Sequence, residues 1–248
     1  MLLATALVLP TLGAHAGLRA FHTFEDSFSD VSGNDLVVTP GGSTPSFVDG
    51  YEGKAASFNG SDSFLRVALD VNPSAMPRMT WGAWVAPVDA SPIRQVLSHD
   101  DAGFDRSIGI DSRGGSGSGY AAFNGSGVSR VGAAPALDRW TFLAARYDES
   151  TAAMTFWVDD ASVSLTSQFG SGNTFFRIGS NPGFGEYFAG RIDNVFVFDE
   201  ALSDAQIASI RAGGAAAIMP VPEPEAYALM LAGLGLIGWQ VRRRQART

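Results

Sequence analysis

Short apolar runs recur along the chain, separated by clusters of Gly, Asn, Asp and Ser. Runs at 18–24, 55–58, 64–67, 79–86, 95–98, 107–110, 140–147, 154–158, 162–165, 175–178 and 190–198 are rich in β-branched and aromatic residues, and each predicts a strand. Asn59-Gly60 falls between two of these runs, the strongest short-range hairpin signal. Asp159-Asp160 separates 154–158 from 162–165 in the same manner. Many short strands with no helices between them predict an all-β fold, a sandwich or jelly roll of two antiparallel sheets.

One short helix stands out near the end of this region. Ser203 is an N-cap, Gln206 three residues later completes a capping box, and Leu202 and Ile207 form a hydrophobic staple. Ile207 and Ile210 share a face, Arg211 sits in the last turn, and Gly213 supplies the stop. This helix is expected to pack against the end of the sandwich. The Gly-rich stretch 113–119 lacks the Gly-Lys-Ser/Thr ending of a phosphate loop, and no helical pattern follows it. It reads as a flexible hairpin loop. Asn59 and Asn124 each begin an Asn-Gly-Ser triplet, which turn geometry explains.

The two ends do not share the strand pattern. Residues 1–16 are an apolar run closed by Ala14-His15-Ala16, the pattern of a secretory signal peptide cut after Ala16, although no Lys or Arg precedes the run. At the other end, Pro222-Glu223-Pro224 precedes an apolar segment at 226–241, and Arg242, Arg243 and Arg244 follow it. As a helix, that segment would span about 24 Å, short of the ~30 Å hydrocarbon core. It is therefore a marginal single-pass transmembrane helix, with its arginines held on the cytoplasmic side. These three parts in order resemble the PEP-CTERM sorting signal of Gram-negative bacteria. The resemblance implies processing by an exosortase at the inner membrane, a transient membrane anchor, and release to the cell surface or exopolysaccharide matrix. The chain thus divides into a signal peptide (1–16), a domain (17–212), a linker (213–220) and a sorting signal (221–248).

Composition narrows the chemistry. With 248 residues and 46% hydrophobic content, the chain can bury one sizeable core. It has no cysteine, which removes disulfides, thiolate zinc sites and thiol nucleophiles. The formal net charge is −8. Taking the four arginines and two glutamates of the tail from the totals of 17 and 25 leaves residues 17–221 with 13 basic and 23 acidic groups, net −10. No basic footprint for nucleic acid exists, so none is expected as a partner. Such a domain would repel anionic polymers unless divalent cations screen or bridge them.

A second resemblance lies in the order of local motifs. These are Phe21-His-Thr-Phe24-Glu25-Asp26, Gly50-Tyr-Glu-Gly53-Lys54, Met79-Thr-Trp81-Gly-Ala-Trp84, Trp140-Thr-Phe-Leu-Ala-Ala-Arg-Tyr147-Asp148, Gly190-Arg-Ile192-Asp193-Asn-Val195 and Ala201-Leu202-Ser203-Asp204. Together they resemble a laminin-G-like domain of the concanavalin A-like lectin/glucanase superfamily, which implies a jelly roll but no particular function. In the last predicted strand, period 2 places Asp193 on the face of Val195 and Val197, where a buried carboxylate needs a partner. The resemblance implies a structural Ca²⁺ held by Asp193, Glu25 and Gly53, with Asp26 and Asn59 as weaker additions. Backbone N–H groups or Arg191 are the alternative partners.

Catalysis has little support in the sequence. Retaining glycosidases need two carboxylates about 5–5.5 Å apart. Residues 17–221 hold only Glu25, Glu52, Glu149, Glu186 and Glu200, no two of them close in sequence, and the Glu-x-Asp-x-x-Glu strand of the related glucanases is absent. His22 and His99 lack a metalloprotease context. Loop aromatics instead suggest ligand contact at Phe104, Phe184 and Tyr187. The expectation is an exported, exosortase-sorted surface or matrix protein, not an enzyme, whose domain binds carbohydrate or another surface protein. The alternatives are a structural matrix protein without a specific ligand, and a divergent polysaccharide hydrolase or lyase.

Overall fold

A computed structural model describes residues 17–219 other than 133. The expected signal peptide, the sorting residues Pro222, Glu223, Pro224, Arg242, Arg243 and Arg244, and the apolar segment 226–241 lie outside the described residues. Within them the chain begins with β1 (Leu18–His22), β2 (Val38–Gly41), β3 (Ser46–Asp49), β4 (Lys54–Asn59) and β5 (Phe64–Val67). Next come β6 (Arg78–Asp89), β7 (Arg94–Ser98), β8 (Ser107–Asp111), β9 (Gly119–Phe123) and β10 (Val128–Arg130). The series closes with β11 (Thr141–Asp148), β12 (Ala153–Val158), β13 (Ala161–Thr166), β14 (Phe176–Ile178) and β15 (Ala189–Phe198), then α1 (Asp204–Gly213) and α2 (Ala215–Ile218). Among the described residues no helix is long and apolar enough to cross a membrane.

The strands form two antiparallel sheets. One runs β13-β12-β11-β6-β15-β4-β3, with β1 also paired to β15; the other runs β10-β9-β8-β7-β14-β5-β2. Every run predicted from the hydrophobic pattern lies on a strand. Four strands carry no such signal. β9, Gly-Tyr-Ala-Ala-Phe, is buried at every position, so it shows no alternation, and its small residues look like loop. β2 and β3 are partly exposed, and β2 contains Pro40. β10 has only three residues. The Gly-rich stretch is indeed the connection from β8 to β9.

The main core lies between the sheets. Trp81 on β6 meets Phe176 on β14 edge-on, ring centroids 6.0 Å apart, and Leu65, Val67, Leu97, Ile108, Phe156 and Ile178 are fully buried around them. A second cluster covers the outer face of the first sheet. There Trp84, Phe142, Phe196 and Phe198 pack under Leu202, Ile207, Ile210 and Ile218. This corrects the expected placement of the helix at the end of the sandwich: four large aromatic side chains on that sheet face need a cover, and α1 and α2 supply it. Each fully buried isoleucine there is worth about 1.5–3 kcal/mol over exposure. The capping box is present, with Ser203 accepting from Gln206 N and the Gln206 side chain accepting from Ser203 N. The segment expected to be a linker, 213–220, is helical over Ala215–Ile218, and Ile218 is fully buried. The domain therefore runs on through Ile218.

Candidate functional site: a loop pocket and a strand bulge

Loops 99–106 and 179–188 and the start of the Gly-rich connection meet in a shallow pocket of about 90 Å³ lined by Asp100, Gly103, Phe104, Arg113, Phe123 and Phe184. The first loop turns sharply because Gly103 and Phe104 both adopt positive φ, +103° and +63°. Asp100 Oδ1 accepts from Asp105 N at 2.9 Å, which closes the turn. In the other loop, Asn181 and Gly185 exchange two backbone hydrogen bonds at 2.7 and 3.1 Å. That closure leaves Phe184 at the tip, 60% exposed. Asn181 ties the loops together: its amide donates to Asp100 Oδ2 and to Glu186 Oε2, both at 3.0 Å, while its Oδ1 accepts from Gly183 N.

Aromatic rings and one guanidinium form the floor. Phe104 packs edge-on against Phe123 with centroids 5.3 Å apart, and the Arg113 guanidinium carbon lies 5.2 Å from each ring. Asp111 takes Arg113 in a fork, with Nη2–Oδ2 at 2.6 Å and Nε–Oδ1 at 3.0 Å, and Glu186 Oε1 adds a contact at 3.4 Å. Burial pushes the Glu186 carboxyl up, against the pull of Asn181 and Arg113. Asp105, beneath the loop, is pushed up to about 6 by burial and by the charges of Asp100 and Asp101, and its Oδ2 has no hydrogen-bond partner. Ligand pockets that engulf small molecules measure about 300–1,000 Å³. This one is too small for that. Its shape suits one face of a larger ligand laid across it.

Asp193 occupies a different kind of place. β15 pairs with β4 over Ala189–Ile192 and with β1 over Val195–Phe198, so Asp193 and Asn194 stand in the gap between two partner strands. On the opposite side the register to β6 slips by one residue across the same point, and Asn194 has φ +48°: a β-bulge. The bulge corrects the period-2 expectation. Alternation restarts one residue out of step, so Ile192 joins Val195 and Val197 in the core. Asp193 meets the turn at 50–53 instead: Oδ2 accepts from Glu52 N at 3.0 Å, and Oδ1 accepts from Asn194 N at 2.7 Å. Arg191, the alternative partner, points to Asp138.

Glu25 and Gly53 converge on this turn. Glu25 Oε1 accepts from Lys54 N at 3.0 Å, and its carboxylate lies against Gly53, at φ +50°, where a Cβ would have to displace it. Burial, with Glu25 adding its charge, pushes Asp193 up to about 7. Lys54 Nζ pairs with Asp49. Asn59 instead caps its own turn, accepting from Ser61, Asp62 and Ser63 N. The donors are hard oxygens, which suit Ca²⁺, but two carboxylates fall short of the 6–8 oxygens it takes, so carbonyls and water would supply the rest. Among the described residues no group of three or more His, Asp and Glu side chains is arranged to hold a metal. The donor type fits Ca²⁺; the site is sparse in charge.

Of the aromatics singled out from sequence, Phe104 and Phe184 line one pocket, whereas Tyr187 stacks against Phe64, centroids 6.5 Å apart. Asn181 opens a loop whose residue types suit sugar binding, but Arg113 and Phe123 are not legible as site residues. Arg113 opens a glycine-rich loop that reads only as flexible, and Phe123 belongs to a strand without alternation.

Residues 41–208 match the family model described as the concanavalin A-like lectin/glucanases superfamily, and residues 220–244 match the PEP-CTERM protein-sorting motif. No curated protein matches the chain. Among solved structures, domain 4 of AbnA, a GH43 extracellular arabinanase from Geobacillus stearothermophilus, in complex with arabinotriose, is similar at 22% identity. That match covers 79% of this chain and 98% of that one, with TM-score 0.62. The binding domain of botulinum neurotoxin serotype D is similar at 11% identity, over 81% of this chain and 53% of that one, with TM-score 0.60. The binding domain of Paraclostridial Mosquitocidal Protein 1 is similar at 16% identity, over 79% and 52%, with TM-score 0.62. The chain thus spans about half the length of those toxin domains. At these identities the likeness is one of fold.

Proposed function

The chain belongs to the concanavalin A-like lectin/glucanases superfamily, and from that premise we propose that its loop pocket binds carbohydrate without catalysis, on a protein exported and sorted to the cell surface or matrix. The observation that carries this reading is Phe184, a large aromatic side chain left 60% exposed at a closed loop tip, next to the ring of Phe104. An exposed aromatic offers a flat apolar surface to a sugar ring, while Asp100 and Arg113 provide the few polar groups that fix orientation. The arabinotriose held by the arabinanase domain is in keeping with such a role for this fold. Asp100 and Glu186 are engaged by Asn181 and Arg113, an arrangement suited to holding the loops rather than to acid–base work. Within the same reading, the sorting tail is a substrate of an exosortase, and Ca²⁺ near Asp193, Glu25 and Gly53 braces the turn at 50–53.

A glycan array, followed by titration calorimetry with each bound oligosaccharide, tests the pocket. Phe184→Ala should weaken binding about tenfold, equivalent to ~1.4 kcal/mol. Binding unchanged by Phe184→Ala and by Arg113→Ala would move the site elsewhere. Silence across matrix polysaccharides would favour a structural matrix protein. Release of reducing ends from a polysaccharide panel, lost in Asp100→Asn, would replace the binding reading with a hydrolase.

A further inference from the structure

The second sheet carries a pair of arginines that the pocket does not use. In the antiparallel register of β5 and β14, Arg66 stands directly opposite Arg177. Leu65, Val67, Phe176 and Ile178 beside them point into the core, so alternation puts both arginines on the outer face. Like charges placed directly opposite on one sheet face are destabilising. Neither guanidinium has a carboxylate within ion-pair distance among the described residues, whose ten ion pairs all involve other cations. That is unexpected in a domain with 23 acidic and 13 basic groups. Arg177 Nε is buried without a hydrogen-bond partner.

Aromatic rings hold the pair in place. The Arg177 guanidinium carbon lies 3.8 Å from the Phe64 ring centroid, and that of Arg66 lies 4.0 Å from the Phe175 centroid. The Phe64 ring in turn lies over Gly41 of β2, where a Cβ would come within 2.1 Å of it, and Tyr187 stacks beside it. Stacking of this kind orients a guanidinium plane without using its N–H donors.

We propose that this face is a second ligand site, distinct from the pocket and independent of the reading given to it, which binds an anionic sugar through its carboxylate. Arginine's planar fork matches a carboxylate in two parallel hydrogen bonds, and each guanidinium, laid along the face on its own ring, keeps its N–H donors free to take one. Phe175 and Tyr187 flank the pair and give the sugar ring an apolar surface. The net charge of −10 repels any anionic polymer at long range and a densely charged polyphosphate most; a polysaccharide with one carboxylate per ring has the lower charge density and meets, at this face, two cations that no carboxylate among the described residues pairs.

The test is calorimetric titration of the full chain with a galacturonate trimer, with maltotriose as the neutral probe and with inorganic sulfate. The trimer should bind more tightly than both. Arg66→Gln and Arg177→Gln should each weaken it about tenfold, as expected for losing a charge-assisted bidentate contact, added salt should weaken it, and Phe184→Ala should leave it unchanged. Arg66 is exposed and stands opposite a like charge, so Arg66→Gln should not lower the melting temperature and separates binding from folding. Trimer affinity no greater than that of maltotriose, or unchanged in Arg66→Gln, would overturn the site. Equal affinity for sulfate would overturn the sugar assignment.

Discussion

The guanidinium of Arg106, with no exposed surface, donates to Glu149 Oε1 at 2.7 Å, joining the loop before β8 to the turn after β11. It also donates to the carbonyls of Val71 and Met76 at 2.8 and 2.9 Å and lies 4.9 and 5.9 Å from the Tyr147 and Phe169 rings, while its Nε is buried without a hydrogen-bond partner. Removing the carboxylate leaves a cation buried against neutral acceptors. Glu149→Ala should therefore cost about 3 kcal/mol, the lower end of the range for breaking a buried pair, because both carbonyls remain. Glu149→Gln, which keeps an acceptor, should cost less. Urea unfolding of the two variants checks this, and equal small losses would mean that Arg106 is held by the carbonyls alone.

Asn181 performs the same kind of service for the pocket. Its three hydrogen bonds join Asp100, Gly183 and Glu186, and two of them go to carboxylates. Asn181→Ala should lower stability by about 2 kcal/mol, since buried acceptors lose their donor. It should also weaken glycan binding by letting the loops part. Phe184→Ala should weaken binding with no change in stability. Melting temperature and affinity measured on both variants distinguish the tie from the contact surface; a stable Asn181→Ala with full affinity would show that the loops need no tie.

The sequence makes most of this architecture legible, and the exceptions have identifiable physical causes. Strands such as β12 and β15, although covered on both faces, announce themselves by runs of β-branched and aromatic residues. β9 does not, because three of its five residues are Gly and Ala, with no β-branched residue among them. The capping box at Ser203 locates α1 to within a residue, but nothing local to the helix says which surface it covers; that depends on Trp84 and Phe142, far away in sequence. In the site, Phe104 and Phe184 are visible as loop aromatics. Their meeting depends on the side chain of Asn181, and Arg113 is masked by the glycines that follow it. The bulge at Asp193 is hidden for a similar reason: a one-residue slip between β15 and β6 leaves no trace in the hydrophobic pattern.

Two buried groups give opposing pH dependences. Burial, assisted by the charge of Arg106, holds the His99 pKa down at about 4, against about 6.5 in the unfolded chain. Between these values the unfolded chain binds the proton first. The stability this represents, roughly 3 kcal/mol, is therefore present above pH 6.5 and is lost as pH falls towards 4. Asp105 behaves the other way: its folded pKa of about 6 lies above the ordinary carboxylate value, so the folded state takes up the proton first and gains stability as pH falls from 6 towards 4. The two partly cancel in the wild type. Asp193, pushed up to about 7, acts in the same direction as Asp105, so the effect is read relative to wild type: Asp105→Asn should be more stable than wild type at pH 7 and should lose that advantage as pH falls. His99→Gln should show a gain on acidification instead. Urea unfolding between pH 7 and pH 4.5 reads both, and an Asp105→Asn variant less stable at pH 7 would mean that the carboxylate contributes more as a hydrogen-bond acceptor than its burial costs.

The turn at 50–53 offers the test of a bound cation. Gly53 sits at positive φ, where a Cβ is strained and would displace the Glu25 carboxylate, so Gly53→Ala should destabilise the domain with or without metal. Calcium, if held between Asp193 and Glu25, adds a separate contribution: at about 100 times its Kd it should stabilise by ~2.7 kcal/mol. Thermal unfolding in calcium and then in excess EDTA should thus show a fall in melting temperature for the wild type. Asp193→Ala should start lower, having lost the acceptor for Glu52 N and Asn194 N, and should not respond to EDTA. Glu25→Gln removes one charge while keeping an acceptor for Lys54 N, so it isolates the electrostatic part: a weakened calcium response with little change in EDTA. Identical wild-type melting in calcium and EDTA would mean that the two backbone N–H groups satisfy Asp193 unaided, and that the bulge in β15 serves to seat the turn rather than an ion.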